Sequence, residues 1–239
     1  MIFNLFNKKT KFIDSGTCEP QFNMDFDLEL LNKLDNSEVE AYFRIYAWKP
    51  YAISLGMNQK EDEIDIESLK KDNFAIVRRP TGGRAVFHAN ELTYSYVTKL
   101  DKHSKSEIYK LIHIEFDKIL KLLDINSDFA KANADFRNIY KSSESRNLCF
   151  ASTAKYEVEI GGRKLIGSAQ RIIEDKLLQH GSIPIGNTHL NIVNYLNTSN
   201  KTKLKEILNS KSTDITTHNS EIKNYDNFAV IIKKYFNIY

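Results

Sequence analysis

The chain has 239 residues, 41% of them hydrophobic and 27% charged, with only 9 Gly and 4 Pro. That is an ordinary globular balance, and it excludes collagen-like, low-complexity and wholly disordered chains. The 34 basic and 31 acidic residues give a formal charge of +3, spread along the sequence rather than gathered into the basic stripe of a nucleic-acid binder.

No apolar run approaches the roughly 18 residues of a membrane span. The opening Met1-Ile2-Phe3-Asn4-Leu5-Phe6-Asn7-Lys8 is too short and polar for a signal peptide, so a cytoplasmic protein is expected. The two cysteines, Cys18 and Cys149, have no partners at metal-ligand spacing, and no metal site is expected. Without a secretory signal each reads as a free thiol.

In chain order, Lys11-Phe12-Ile13-Asp14-Ser15-Gly16 reads as a short strand and turn. Phe22, Met24, Phe26, Leu28, Leu30, Leu31 and Leu34 then recur at helical density. Residues 41–48 and 51–55 read as strands parted by Lys49-Pro50, since Pro lacks a ladder donor. Residues 66–71 suggest a short helix, and Phe74-Ala75-Ile76-Val77-Arg78-Arg79 a buried strand ended by Pro80. In 91–98, Leu92, Tyr94 and Tyr96 alternate as in a strand. Ser104-x-x-Glu107 is a capping box ahead of Ile108, Leu111, Ile112, Ile119 and Leu122. Residues 124–148, rich in Asn, Ser and Asp, read as a surface loop. Gly161-Gly162 between 156–160 and 163–169 marks a hairpin, and Glu174-Asp175 a second. Residues 199–209 and 226–238 read as helices. Helices interspersed with mostly antiparallel strands, without strict strand–helix alternation, argue an α+β fold, taken as a single domain over 1–239.

Three segments concentrate reactive chemistry. The first is Arg78-Arg79-Pro80-Thr81-Gly82-Gly83-Arg84-Ala85-Val86-Phe87-His88. Paired glycines let a backbone turn sharply and offer its N–H groups to an anion or carbonyl oxygen. The segment has neither the P-loop pattern nor the dinucleotide fingerprint. The second, Gly161-Gly162-Arg163-Lys164-Leu165-Ile166-Gly167-Ser168-Ala169-Gln170, sets Lys164 on a strand bordered by small residues. A site lysine and a surface hairpin lysine fit it equally. The third is Cys149 in Asn147-Leu148-Cys149-Phe150-Ala151-Ser152. A thiol beside a cation ionises near neutral pH and attacks carbonyls, whereas a buried lone Cys behaves as a small hydrophobe. The residues alone leave both readings open.

Together these segments resemble the biotin/lipoate protein ligase superfamily, on its lipoate side, where cysteine-dependent octanoyltransferases and lipoate–protein ligases belong. The resemblance begins with Asp14-Ser15-Gly16 through Phe22-Asn23-Met24, followed by Ser54-Leu55-Gly56-x-Asn58-Gln59. It continues through the Arg78 and Lys164 segments to Gln179-His180-Gly181-Ser182-Ile183, so that it covers residues 11–185. It implies mixed, mostly antiparallel sheets flanked by helices, with a core region of about 38–218. It also implies that Cys149 and Lys164 are catalytic. Arg79, Thr81, Gly82, Gly83, Arg84, His88, Gly167, Ser168 and Ala169 would bind substrate.

The resemblance further implies a reaction that moves an octanoyl group from acyl carrier protein, through a cysteine thioester, to a lysine of a lipoyl domain or glycine-cleavage H protein. That reaction needs no cofactor. The alternative is a lipoate–protein ligase using ATP and Mg through an acyl-adenylate. Three features favour the transferase. Cys149 lies 164 − 149 = 15 residues before Lys164. Gly82-Gly83-Arg84 is followed by Glu91-Leu92-Thr93-Tyr94-Ser95 rather than by a third Gly and a Gly-Asn. In a chain of 239 residues the accessory domain of many ligases is not expected. One departure is Ala89, where the family commonly has an Asp.

Overall fold

The computed structural model describes residues 2–101, 103–130 and 156–237. Its strands are β1 (Ile2–Leu5), β2 (Lys8–Cys18), β3 (Ala41–Trp48), β4 (Ala52–Leu55), β5 (Ala75–Arg78), β6 (Val86–His88), β7 (Glu91–Lys99), β8 (Asp128–Phe129), β9 (Val158–Ile160), β10 (Arg163–Lys164), β11 (Gly167–Ile173) and β12 (Lys176–Pro184). Its helices are α1 (Pro20–Lys33), α2 (Ile66–Lys71), α3 (Lys105–Lys121), α4 (Lys201–Lys211), α5 (Ile215–His218) and α6 (Tyr225–Tyr235).

Six strands form the main sheet in the order β1-β2-β3-β7-β12-β11, and only β2 and β3 run parallel. Helices cover both faces. On one, Phe43, Ile45, Leu92, Tyr94 and Tyr96 pack against Ile112, Phe116 and Ile119 of α3 and Phe228 and Ile232 of α6. On the other, Tyr42, Val97 and Leu178 meet Leu30, Leu31 and Leu34 of α1 and its end. The expected capping box starts α3: Ser104 Oγ accepts from Glu107 N, and Glu107 Oε2 accepts from Ser104 N. Pro20 opens α1, where its missing donor costs nothing.

A small sheet, β5-β4-β6, lies beside the main one and is joined to it through Met24, Tyr46, Trp48, Ala52 and Val77. Its other face packs on a 3-10 helix at Asn187–Tyr195 and on α4. The α+β expectation therefore holds, and the main helices and strands fall where hydrophobic periodicity placed them.

Two local expectations change. The segment read as a loop over 124–148 contains β8, which pairs with β9. The Gly161-Gly162 hairpin is real, with both glycines at positive φ (55° and 74°), but it is short: β9 pairs with β10 only as far as Lys164. Leu165 and Ile166 are fully buried. Burying them carries the chain out of the hairpin, so that 167–173 joins β12 in the main sheet. Strand β6 and the 3-10 helix were not read from the sequence.

Candidate active site

A small cavity, partly open to solvent, lies where the small sheet meets the main one. Met24, Tyr46, Trp48 and Val86 give it apolar walls. Ser54, Arg79, His88 and His180 supply polar groups, and Gly167, Ser168, Ala169, Gly181 and Ser182 line it with small residues. An apolar space with a few convergent polar groups is the common form of a small-molecule site. Gly181 must lack a side chain: a Cβ there would stand 2.5 Å from both the Tyr94 ring and Ser168 Oγ.

The two arginines at the end of β5 hold two different loops. Arg78 Nη1 donates to the carbonyls of Gly56 (2.9 Å) and Gln59 (2.6 Å). Arg79 turns inward and is buried. Its Nη1 donates to Ser54 O (2.9 Å) and Ser54 Oγ (3.2 Å), and its Nη2 to Gly82 O (2.9 Å) and Arg84 O (2.7 Å). Of the residues expected to bind substrate, Arg79 thus shapes the turn that carries Thr81, Gly82, Gly83 and Arg84. Gly83 takes φ 96°, a conformation open to glycine, with the Arg79 guanidinium where a Cβ would go. Gly82 and Gly83 are exposed, Arg84 is half-buried and Thr81 is buried.

Two buried histidines line the cavity, each between a carboxylate and a hydroxyl. His88 Nδ1 lies 2.8 Å from Glu91 Oε1, and its Nε2 lies 2.7 Å from Ser54 Oγ. The His88 ring stacks on Trp48 at 3.9 Å. His180 Nε2 lies 2.6 Å from Thr81 Oγ1, and its Nδ1 lies 3.5 Å from Asp27 Oδ2. Burial works to raise the Glu91 carboxyl, but His88, Ser182 and Thr93 hold it below its usual value. Burial works to raise the Asp27 carboxyl, but the nearby His180, the Arg44 charge and the Ser95 hydroxyl hold it below its usual value. Desolvation pushes His180 down toward its neutral form. His88 and Ser54 lay within the segments that carried the resemblance. Asp27 and the roles of Glu91 and His180 were not read from the sequence.

Lys164 is buried and pairs with the equally buried Glu157, Nζ to Oε1 2.7 Å. It does not line the cavity, but its charge acts on His113, which in turn meets Ser168 of the cavity wall. Desolvation and the Lys164 charge push His113 down to about 4, against a bond to the Tyr156 carbonyl. Neutral His113 reaches Ser168 Oγ through Nε2 (2.8 Å), and Ser168 Oγ also meets Tyr94 Oη (2.7 Å). Gly167, Ser168 and Ala169 are therefore brought to the cavity beside His88 and Arg79. Cys149 lies outside the described residues. Among the described residues, no group of three or more His, Cys, Asp or Glu side chains is arranged to hold a metal.

The family profile of the lipoyl protein ligase A/B catalytic domain matches residues 19–237. The chain belongs to this family. Within the lipoyl protein ligase A/B family, the chain is 37% identical over 179 residues to octanoyltransferase LipM of Geobacillus kaustophilus, with 72% of the chain aligned. It is 35% identical to octanoyltransferase LipM of Bacillus subtilis over the same share. It spans 64% of the length of each relative.

The fold is shared with solved lipoyl ligase structures. A bipartite lipoate protein ligase from Thermoplasma acidophilum matches with a TM-score of 0.72 at 15% identity, over 95% of this chain and 84% of that one. A lipoate-protein ligase A bound with ATP matches with a TM-score of 0.73 at 16% identity, over 95% and 83%. The resemblance read from the segments across 11–185 is thereby confirmed at the level of family and fold.

Proposed function

We propose that the protein is an octanoyltransferase of protein lipoylation. It moves an octanoyl group from acyl carrier protein, through a thioester on Cys149, to a lysine of a lipoyl domain or glycine-cleavage H protein. The observation that carries this reading is the apolar cavity bounded by Met24, Tyr46, Trp48 and Val86, with the Arg79 turn and Gly167–Ser168 at its polar side. That arrangement suits an alkyl chain ending in a carbonyl. The likeness to the LipM octanoyltransferases supports the same chemistry.

In this mechanism the Cys149 thiolate attacks the carrier thioester carbonyl, and the carrier thiol leaves. The amine of the acceptor lysine then attacks the Cys149 thioester, an amide forms and the thiolate is released. Lys164 supplies the cation. A neighbouring cation brings a thiol pKa to roughly 3.5–7.5. No ATP is needed, because the donor is already activated.

Mass spectrometry of the protein after incubation with octanoyl carrier protein tests the intermediate. An octanoyl adduct that disappears in Cys149→Ser is the expected result. An adduct that persists in Cys149→Ser removes Cys149 from the mechanism. Modification of the acceptor only with ATP and free lipoate would make the protein a lipoate–protein ligase instead.

A further inference from the structure

His88 and His180 have similar surroundings in the one cavity. Each ring has a hydroxyl at Nε2 and a buried carboxylate on its Nδ1 side, hydrogen bonded in His88 (2.8 Å) but 3.5 Å away and without a hydrogen bond in His180. Both hydroxyls hold the turn at 79–84: Thr81 belongs to it, and Ser54 Oγ meets the Arg79 guanidinium.

With a neutral His88 ring, Glu91 sets the direction of the first chain of bonds. Glu91 is a carboxylate that accepts from Thr93 Oγ1 and from Ser182 Oγ (2.5 Å). It therefore needs a donor at His88 Nδ1, which in the neutral ring leaves the Nε2 lone pair to accept from the Ser54 hydroxyl. Arginine only donates, so Arg79 takes a lone pair of Ser54 Oγ and the Ser54 carbonyl. Its remaining N–H groups then hold Gly82 O and Arg84 O on either side of Gly83. Reversing the His88 tautomer would set a lone pair against the Glu91 carboxylate. Both nitrogens of His88 already have protein partners, so the ring acts through its neighbours.

We propose that the Glu91–His88–Ser54 relay, together with the His180–Thr81 hydrogen bond, clamps the 79–84 turn beside the cavity, making Glu91, Ser54 and His180 positioning residues for the acyl group. The acyl part of the claim rests on the reading given under Proposed function. The clamp itself does not.

The test has two arms. Nitrogen-15 spectra of labelled histidine report the His88 tautomer, and amide spectra report Gly82 and Gly83. The wild type is expected to hold His88 as Nδ1–H. Ser54→Ala is expected to shift the Gly82 and Gly83 amide signals and lower kcat about 10–100-fold, the scale of a small misplacement at a reacting centre, with KM for the acyl donor little changed. Ser54→Thr, which restores the hydroxyl, is expected to recover both readouts. Glu91→Gln, which keeps the shape, is expected to loosen the His88 tautomer.

An Nε2–H tautomer in the wild type, or Gly82 and Gly83 signals untouched by Ser54→Ala, overturns the proposal. If the wild type transfers no octanoyl group, the functional reading fails, while the tautomer and amide arms still decide the clamp.

Discussion

Gly56 faces the carbonyl of Gly83 so closely that a Cβ at position 56 would stand 1.9 Å from that oxygen. The neighbour is backbone, so no rotamer change can relieve the clash. Arg78 holds one of these loops through Gly56 O, and Arg79 holds the other through Gly82 O. Gly56→Ala must therefore part them. The expected cost is about 1–3 kcal/mol from overpacking, with acyl transfer down about 100-fold because the turn is displaced. Chemical denaturation and initial rates check this; a wild-type rate would contradict it.

Arg44 is fully buried on β3, between Asp27 Oδ1 (2.9 Å) and Asn23 Oδ1 (2.6 Å), over the Tyr46 ring. Removing one member of a buried pair strands the other charge, at a cost of about 3–5 kcal/mol. Arg44→Met is expected to lose that much stability by denaturant titration. A loss below about 1 kcal/mol, the scale of an exposed pair, would show that Asp27 is not held by Arg44.

Much of this was legible in the sequence, and the omissions share one cause. The alternation of Leu92, Tyr94 and Tyr96 located β7, but the period says nothing of what the opposite parity, Glu91, Thr93 and Ser95, faces. In the structure β7 is buried on both sides. That second face is polar because it meets Asp27, His88 and the cavity rather than water. Asp27 was hidden for the same reason: it sits in an amphipathic helix, and its partners Arg44, Ser95 and His180 lie 17, 68 and 153 residues away in sequence (44 − 27, 95 − 27 and 180 − 27). The Arg78–His88 and Lys164 segments were readable because their unusual residues are adjacent in the chain.

Acid sensitivity follows from the buried histidines. His113 is held at about 4 when folded, against 6.5 in the unfolded chain. Between those values the unfolded state binds a proton that the folded state refuses, so stability falls as pH drops from 6.5 toward 4. That group alone accounts for about 3 kcal/mol at 1.36 kcal/mol per pKa unit. His180 and His189 are shifted in the same direction and add to the slope. Below that window the depressed Asp27 and Glu91 carboxyls continue the loss as they protonate. His113→Gln is expected to flatten the stability–pH slope between 4 and 6.5; an unchanged slope would contradict the assignment.

Lys164 should be probed without stranding Glu157. Lys164→Met takes the cation from the buried Glu157, which keeps the Tyr109 hydroxyl, and is expected to cost about 3–5 kcal/mol. Lys164→Arg keeps a cation beside Glu157 but moves the charge. It is expected to retain the fold while lowering acyl transfer about 100-fold. Full activity in Lys164→Arg, measured as acceptor octanoylation, would remove Lys164 from the chemistry.

The central claim is tested most directly by the intact mass of an apo lipoyl domain incubated with the protein and octanoyl carrier protein in the absence of ATP. A gain of one octanoyl group on the acceptor is the predicted result. An unmodified acceptor that gains its acyl group only when ATP and free lipoate are supplied would contradict the transferase account.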